Sequence, residues 1–503
     1  METFHSILYG FSIAFQPAQL LLAFLGVLGG TLVGVLPGLG PTAAMSILLP
    51  VTFGMTPTGA MIMLTGIYYG AQYGGSTTSI LVNIPGEAAS VVTCLDGYQM
   101  ARQGRAGPAL GISAFGSFIA GSIGVVGLSF LAPPLTDVAL KFGPPEYFSL
   151  MCLGLTLLTF LAHGSMLKAL MMAILGLFVG TIGIDLVHGT PRFNFGLLNL
   201  QEGVGIVPIA MGMFGVAEIL VTIEKAMQVS VFKTKLKGLF PNREDWRKCI
   251  WSILRGTGIG FFLGILPGGG AVISSFVSYA VEKRVSKYPE KFGTGVIEGV
   301  AAPEAANNAA AQAAFIPLMT LGIPANVVMA LLLAALLIHG ISPGPMLMGQ
   351  YPDLFWGFVT SMYLGNIMLL VLNLPLIPVW VKLLKVPYPI LFPFIFLFCL
   401  VGVYTVNNNI FDIYLMILFG VFGYLARKLD FEAAPFILAV ILGPMLEKSM
   451  RQSLIMAKGD FSIFITRPIS GALLLVAIVL LVLPLMPRVF KRDKIVSLEE
   501  KGD

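Results

Sequence analysis

The chain has 503 residues, of which 56% are hydrophobic and 11% charged, with a formal net charge of +5 and a mean hydropathy of +0.89. Soluble domains carry about 25% charged residues, so polar surface here is too scarce to cover a water-facing globule. A soluble enzyme, a disordered chain and a nucleic-acid binder are excluded, which leaves an all-α polytopic membrane protein whose backbone is satisfied inside helices.

In chain order, the first 101 residues carry no Lys or Arg. They open on an apolar run without the basic region of a cleaved signal, so the first helix is expected to stay in the chain. Gly26 to Gly40 follows, reading GVLGGTLVGVLPGLG. Its Pro37 breaks the helix ladder, and the adjacent glycines admit unusual backbone angles. The polar stretch from Tyr73 to Gly86 ends in a second break, Asn83-Ile-Pro-Gly86. Beyond Arg102 and Arg105, apolar spans are expected near 109–131, 146–162, 168–184 and 203–223. The basic stretch from Lys225 to Lys248 closes this half.

The second half repeats the first. Gly256 to Gly270, GTGIGFFLGILPGGG, matches the first Gly-Pro segment at seven of fifteen positions, with a constant offset of 230 residues. Gly322-Ile-Pro324-Ala325 echoes Asn83-Ile-Pro-Gly86 at an offset of 239, the nine extra residues fitting an added basic loop around Val281 to Lys291. Further spans are expected near 354–374, 388–405, 412–426 and 432–446, with a last one at 468–487. The chain then divides into a first membrane repeat (1–224), a basic cytoplasmic linker (225–249), a second membrane repeat (250–446), and a final helix with a basic cytoplasmic tail (447–503). Glu447 to Arg467 fits poorly: the span count places it outside, yet it carries Lys448, Arg451, Lys458 and Arg467. Either it is amphipathic or one span is miscounted.

Two halves with Gly/Pro-interrupted helices at corresponding positions point to a secondary transporter. Charge indicates how the halves are related. The first Gly-Pro segment has no Lys or Arg on either flank, whereas the second lies between Lys225–Lys248 and the Lys283, Arg284, Lys287 and Lys291 loop. The segment after the Ile-Pro break shows the opposite bias. Two inverted repeats are the simplest account, each with a helical hairpin that enters and leaves on one side and a discontinuous transmembrane helix that crosses once.

Backbone groups freed at membrane depth must face protein, water or a ligand. A restarting helix points free N–H groups and partial positive charge into that space. Gly38, Gly40, Pro41 and Thr42 at one tip, and Gly268, Gly269 and Gly270 at the other, are therefore candidate substrate-binding positions, with Ser274 and Ser275 adding hydroxyls. For the spaced glycines Gly26, Gly30 and Gly34, helix packing is the favoured role. Ser76, Thr77, Asn83 and Gly86 bring hydroxyls and an amide to the first break; a turn that satisfies its own backbone is the alternative. Asn307, Asn308 and Pro324 are their counterparts. Glu304, one of few acids in an apolar region, is the candidate for cation coupling, against the alternative of an interfacial carboxylate that caps its helix. With no Lys or Arg in 1–101 or 292–381, an anionic substrate must be met by helix N-termini, Asn and hydroxyls, or by co-bound Na+. Arg192 and Arg255 are the outlying alternatives for meeting the anion but read as interfacial anchors, and Asp185 to Arg192 reads as a solvated turn, with an outward loop for a partner as the alternative. The four Cys and four His lack the spacing of a disulfide framework or metal site. There is no P-loop, no His-Glu-x-x-His and no Gly-x-Ser-x-Gly, so no enzyme, ATP hydrolysis or cofactor is expected beyond Na+ or H+ as coupling ion.

The run Gly34-Val-Leu-Pro-Gly-Leu-Gly-Pro-Thr42 resembles the large membrane subunit of the tripartite tricarboxylate transporters. So do Tyr73-Gly-Gly-Ser, Asn83-Ile-Pro-Gly86, Ala302-Pro-Glu-Ala-Ala-Asn-Asn308 and Thr320-Leu-Gly-Ile-Pro324. Asp96-Gly-Tyr-Gln-Met-Ala-Arg-Gln-Gly104 is similar to a family segment with Pro at the place of Gln99, and Ala325 stands where the family usually has Gly. The resemblance spans about residues 5 to 487. It implies a carrier of the bacterial cytoplasmic (inner) membrane, driven by an ion gradient. A small membrane subunit and a periplasmic solute-binding protein would be its partners, and organic anions of the carboxylate class its substrates. The expected function is import of a tricarboxylate-like anion with Na+ or H+. The rival is an uncoupled anion channel or pore.

Overall fold

A chain that must satisfy its own backbone in hydrocarbon folds into helices, and a computed structural model of this chain is helical almost throughout. It describes residues 2–36, 39–160, 165–185, 188–225, 238–268, 270–384, 386 and 388–482. The first half contains α1 (Glu2–Ala14), α2 (Pro17–Gly34), α3 (Pro41–Leu48), α4 (Pro57–Val82), α5 (Val91–Arg102), α6 (Ala106–Ala139), α7 (Pro144–Phe160), α8 (Met166–Gly180), α9 (Ile206–Ala210) and α10 (Ala217–Lys225). A π-helical stretch, Met211–Val216, joins the last two into one crossing. The second half contains α11 (Arg243–Ile265), α12 (Gly270–Val285), α13 (Glu298–Ala313), α14 (Phe315–Leu321), α15 (Val327–Ile338), α16 (Leu347–Gln350), α17 (Pro352–Leu383), α18 (Tyr388–Asn407), α19 (Ile410–Lys428), α20 (Ala433–Met456), α21 (Ile463–Thr466) and α22 (Pro468–Val482). Among the described residues, 7 helices are long and apolar enough to cross a membrane. The only strands among those residues, β1 (Gly183–Ile184) and β2 (Pro191–Arg192), pair antiparallel.

The spaced glycines explain the hairpins. A Cβ on Gly26, Gly30 or Gly34 would collide with the carbonyl oxygens of Met63, Ile67 and Ala71 in turn. Residue numbers rise together along both helices, so α2 and α4 run parallel at close range. The chain between them, α3 and the turn after it, must therefore lead back to the side where α2 began. The second half does the same: Gly256, Gly260 and Gly264 press on the carbonyls of Ala302, Ala306 and Ala310. The glycines repeat after 230 residues and their partners after 239, the two offsets found in the sequence. Gly packing of this kind lets backbones approach where lipid supplies no hydrophobic drive. The second hairpin is also clamped at its base. Arg255 donates to Glu282 at 2.7 and 3.0 Å, and Ser252 Oγ donates to the same carboxylate at 2.7 Å. Arg255 thus clamps this hairpin.

Both expected breaks form. Asn83 (φ 58) ends α4 and Gly322 (φ 72) ends α14 in the left-handed conformation, which Gly and Asn adopt most readily. Each restart carries a side-chain cap at equivalent positions. Glu87 shares a capping box with Ser90, and Asn326 Oδ1 accepts from the Met329 N–H at 3.0 Å. Between the halves, Tyr69 bonds Gln312 and Ser76 bonds Glu304. Numbers rise on α4 as they fall on α13, so these two helices are antiparallel.

Arg105 meets Asp245 at 3.2 Å, so the start of α11 shares a side with the start of α6. The span expected to end at 446 continues as α20 to Met456. The boundary drawn at 446/447 falls inside this helix, and residues 243–249 of the linker already belong to α11. Two of the four basic residues after 446, Arg451 and Arg467, are paired with acids. Arg451 meets Asp185 at 2.8 Å and Glu447 at 2.7 Å, Arg192 meets Glu447 at 2.8 Å, and Arg467 meets Glu146 at 2.7 Å. Asp185 and Arg192 are members of this network, at the ends of a turn whose residues 188–191 are exposed.

Candidate functional site

A cavity of about 500 Å³ lies where the hairpin tips meet the breaks. Four backbone stretches line it: Gly40–Ala43 at the start of α3, Gly270–Ile273 at the start of α12, Pro85–Ala89 at the first break, and Asn326–Val328 at the second. They come in pairs related by the repeat. Three are helix N-termini whose first N–H groups have no intrahelical partner. Pro41 stands at a position where no N–H is needed. The Gly268 N–H donates to Ala325 O at 2.9 Å, which ties one tip to the neighbouring break. Polar side chains complete the wall. Glu87 Oε1 and Gln72 Oε1 are buried and take no hydrogen bond. Arg427 at the end of α19 also lines the cavity, paired with Glu218, and Glu432 lies nearby.

A second polar cluster sits behind this cavity, between α4, α5, α6 and α13. Glu304 is fully buried in the middle of α13, so it does not cap a helix. Ser76 Oγ donates to its carboxylate at 2.7 Å, Ser113 Oγ at 3.1 Å, and Thr93 Oγ1 donates as well. Asn308 Nδ2 donates to Ser117 Oγ at 2.8 Å, Glu304 O at 3.0 Å and Asn307 Oδ1 at 2.6 Å. Positions 69, 73 and 76 fall on one face of α4, which is why this polar run meets α13 rather than lipid. Three hydroxyls donate to this buried carboxyl group, and no Lys or Arg among the described residues forms an ion pair with it.

The model of the Tripartite tricarboxylate transporter TctA family matches residues 20–438. The chain belongs to this family. It is 51% identical over 496 residues to an "Uncharacterized 52.8 kDa protein in TAR-I ttuC' 3'region" of Agrobacterium vitis, covering 98% of this chain and 99% of that protein. It is also 51% identical over 237 residues to an "Uncharacterized protein in TAR-II ttuC' 3'region" of the same organism, covering 47% of this chain and 98% of that protein. No solved structure matches it. A TctA-family chain with this many apolar helices is a multi-pass membrane protein, and its family points to transport rather than catalysis.

Of the candidate positions in this TctA-family chain, Gly40, Pro41, Thr42, Gly86, Gly268 and Gly270 line the cavity. Gly38 and Gly269 lie outside the described residues. Ser76, Thr77, Asn307, Asn308 and Glu304 are buried in the second cluster or beside it. Asn83 is exposed at its break, and Pro324 is buried beside the other, neither lining the cavity. Ser274 and Ser275 donate back to Gly270 O and Ala271 O at 2.7 and 2.8 Å. Asp96, in the Asp-Gly-Tyr segment, accepts from the N–H groups of Gly293, Gly295 and Val296 and from the Tyr279 hydroxyl, all within 2.9 Å. That segment anchors the loop before α13. Sequence reasoning missed Glu87, Asn326 and Arg427. The first two stand 239 residues apart, directly after the Ile-Pro motifs, so the repeat offset carried a signal for them. Arg427 carried none, because only the packing of α19 brings it to the cavity.

Proposed function

We propose that this TctA-family chain is the membrane subunit of a secondary carrier in the bacterial cytoplasmic membrane. It imports a carboxylate together with Na+ or H+, and works with a small membrane subunit and a periplasmic solute-binding protein. The observation that carries this reading is the paired convergence of hairpin tips and helix breaks on one cavity of about 500 Å³. That volume suits a small organic ligand. Helix N-termini favour negative charge there, while Arg427 is already paired with Glu218. Glu87 and Glu432 share the same wall, so a carboxylate fits only when a cation or proton offsets the added charge. This is a physical reason for coupling, and Glu304 behind the cavity is the group that would hold the coupling ion. The antiparallel α4 and α13 support inverted halves, whose tips would enter from opposite sides and give alternating access.

The test is uptake of a labelled carboxylate panel by vesicles that contain all three components, with and without an imposed Na+ or H+ gradient. A carrier shows saturable uptake that follows the gradient and falls in Arg427→Ala. Uptake that ignores both gradients and does not saturate overturns this reading in favour of a pore.

A further inference from the structure

A small void separate from the large cavity lies beside Glu304. It measures about 10 Å³, and Tyr73 and Thr77 of α4, Ser113 of α6 and Asn373 of α17 face it, with Leu110, Ala114, Leu374 and Ile377 closing it. A space of this size holds one water or one bare monovalent ion. The hydrogen-bond pattern around it is one-sided. The Tyr73 hydroxyl donates to Ala114 O at 3.3 Å, Thr77 Oγ1 to Tyr73 O at 3.3 Å, and Ser113 Oγ to Glu304 at 3.1 Å. Asn373 Nδ2 donates to Leu369 O at 2.9 Å, which fixes the amide orientation, since only the NH2 can donate there. Asn373 Oδ1 is left buried without a partner. The three hydroxyl hydrogens are committed elsewhere and one Asn373 amide hydrogen is spent on Leu369 O, so the hydroxyls and Asn373 Oδ1 offer the void oxygen lone pairs. Asn373 is 3% exposed, and a buried carbonyl left without a partner is unfavourable.

Four oxygens around one space, one of them a buried carbonyl with no partner, suit a cation. The negative charge needed nearby belongs to Glu304, one hydroxyl away through Ser113. Neutral oxygens and one carboxylate suit a weakly bound, hard monovalent ion. Among the described residues, no group of three His, Cys, Asp or Glu could hold a metal ion. We propose that Asn373 Oδ1, Thr77 Oγ1, Ser113 Oγ and Tyr73 Oη form a Na+ site coupled to Glu304. The ion would tie α17 to the α4 and α6 face that supports the first break. This inference rests on the carrier reading for its role and adds the identity and place of the coupling ion.

The test uses the full-length chain in detergent micelles, with NaCl exchanged for choline chloride at constant ionic strength. Na+ is expected to raise the Tm saturably, as a ligand of the folded state does. Asn373→Leu and the near-isosteric Thr77→Val are each expected to abolish that rise while keeping the Tm in choline at or above wild type. In vesicles with the partner subunits, Thr77→Val is expected to raise the Na+ concentration for half-maximal uptake tenfold or more. If Asn373→Leu does not fold, Thr77→Val decides. A wild-type Tm indifferent to Na+, as expected if the void holds only water, overturns the site, and so does an unchanged Na+ response in the folded variants. Uptake driven by a pH gradient without Na+ stabilisation rejects the site and keeps the carrier. Na+ stabilisation with gradient-independent uptake rejects the carrier and keeps the site.

Discussion

Gly258 and Gly260 stand two residues apart on α11 and meet opposite surroundings. A Cβ on Gly258 would find nothing within 4 Å, whereas one on Gly260 would lie 2.7 Å from both Cα and C of Ala306 and closer still to its oxygen. Carbon atoms settle at about 3.5–4.0 Å, so Gly260→Ala must push α11 about 1 Å away from α13. Both substitutions gain the same helix propensity, about 1 kcal/mol over Gly. The difference between them isolates the overpacking cost, about 1–3 kcal/mol. Gly258→Ala is expected to be neutral or stabilising, and Gly260→Ala to be less stable by that difference. Because α11 ends at the Gly268–Gly270 tip, Gly260→Ala is also expected to impair uptake where Gly258→Ala does not. The assay is reversible unfolding in mixed micelles of mild detergent and dodecyl sulfate, followed by tryptophan fluorescence, with uptake measured in parallel. Equal stability of the two variants would refute the close parallel packing of α11 on α13. Gly30→Ala is expected to behave as Gly260→Ala, since it meets the Ile67 backbone in the same way.

Two other outcomes follow from the buried carboxylates. Glu304→Ala leaves the Ser76, Thr93 and Ser113 hydroxyls without their acceptor, at about 1–3 kcal/mol for each that finds no other. It should lower the unfolding midpoint markedly, while Glu304→Gln keeps an acceptor oxygen, folds, and loses only the gradient dependence of uptake. Arg255→Leu strands Glu282, which is buried while Arg255 is about a third exposed. That exposure reduces the expected loss to about 1–3 kcal/mol. The double variant with Glu282→Gln should recover most of it in the same micelle assay, and failure to recover would deny the clamp.

The membrane class, the two Gly-Pro hairpins, the two Ile-Pro breaks and their repeat offsets were legible in the sequence. Each is written in local chemistry: apolar length, glycines four apart that admit a neighbouring backbone, and Pro beside Gly where a ladder must stop. Gly40, Pro41, Thr42, Gly86, Gly268 and Gly270 could be placed at one site for that reason. What no local pattern carries is which side chains meet across the fold. Glu304 finds Ser76, Thr93 and Ser113 from residues 191 to 228 positions away, and Arg427 reaches Glu218 across 209. Those meetings depend on the antiparallel register of α4 against α13 and on the packing of α19. Only the tertiary structure could therefore move Glu304 off a helix end into the interior, bring Arg427 to the cavity, and pair Arg451 and Arg467 with distant acids. Hydrogen bonds and ion pairs act over a few ångströms of space, and the sequence orders residues along the chain.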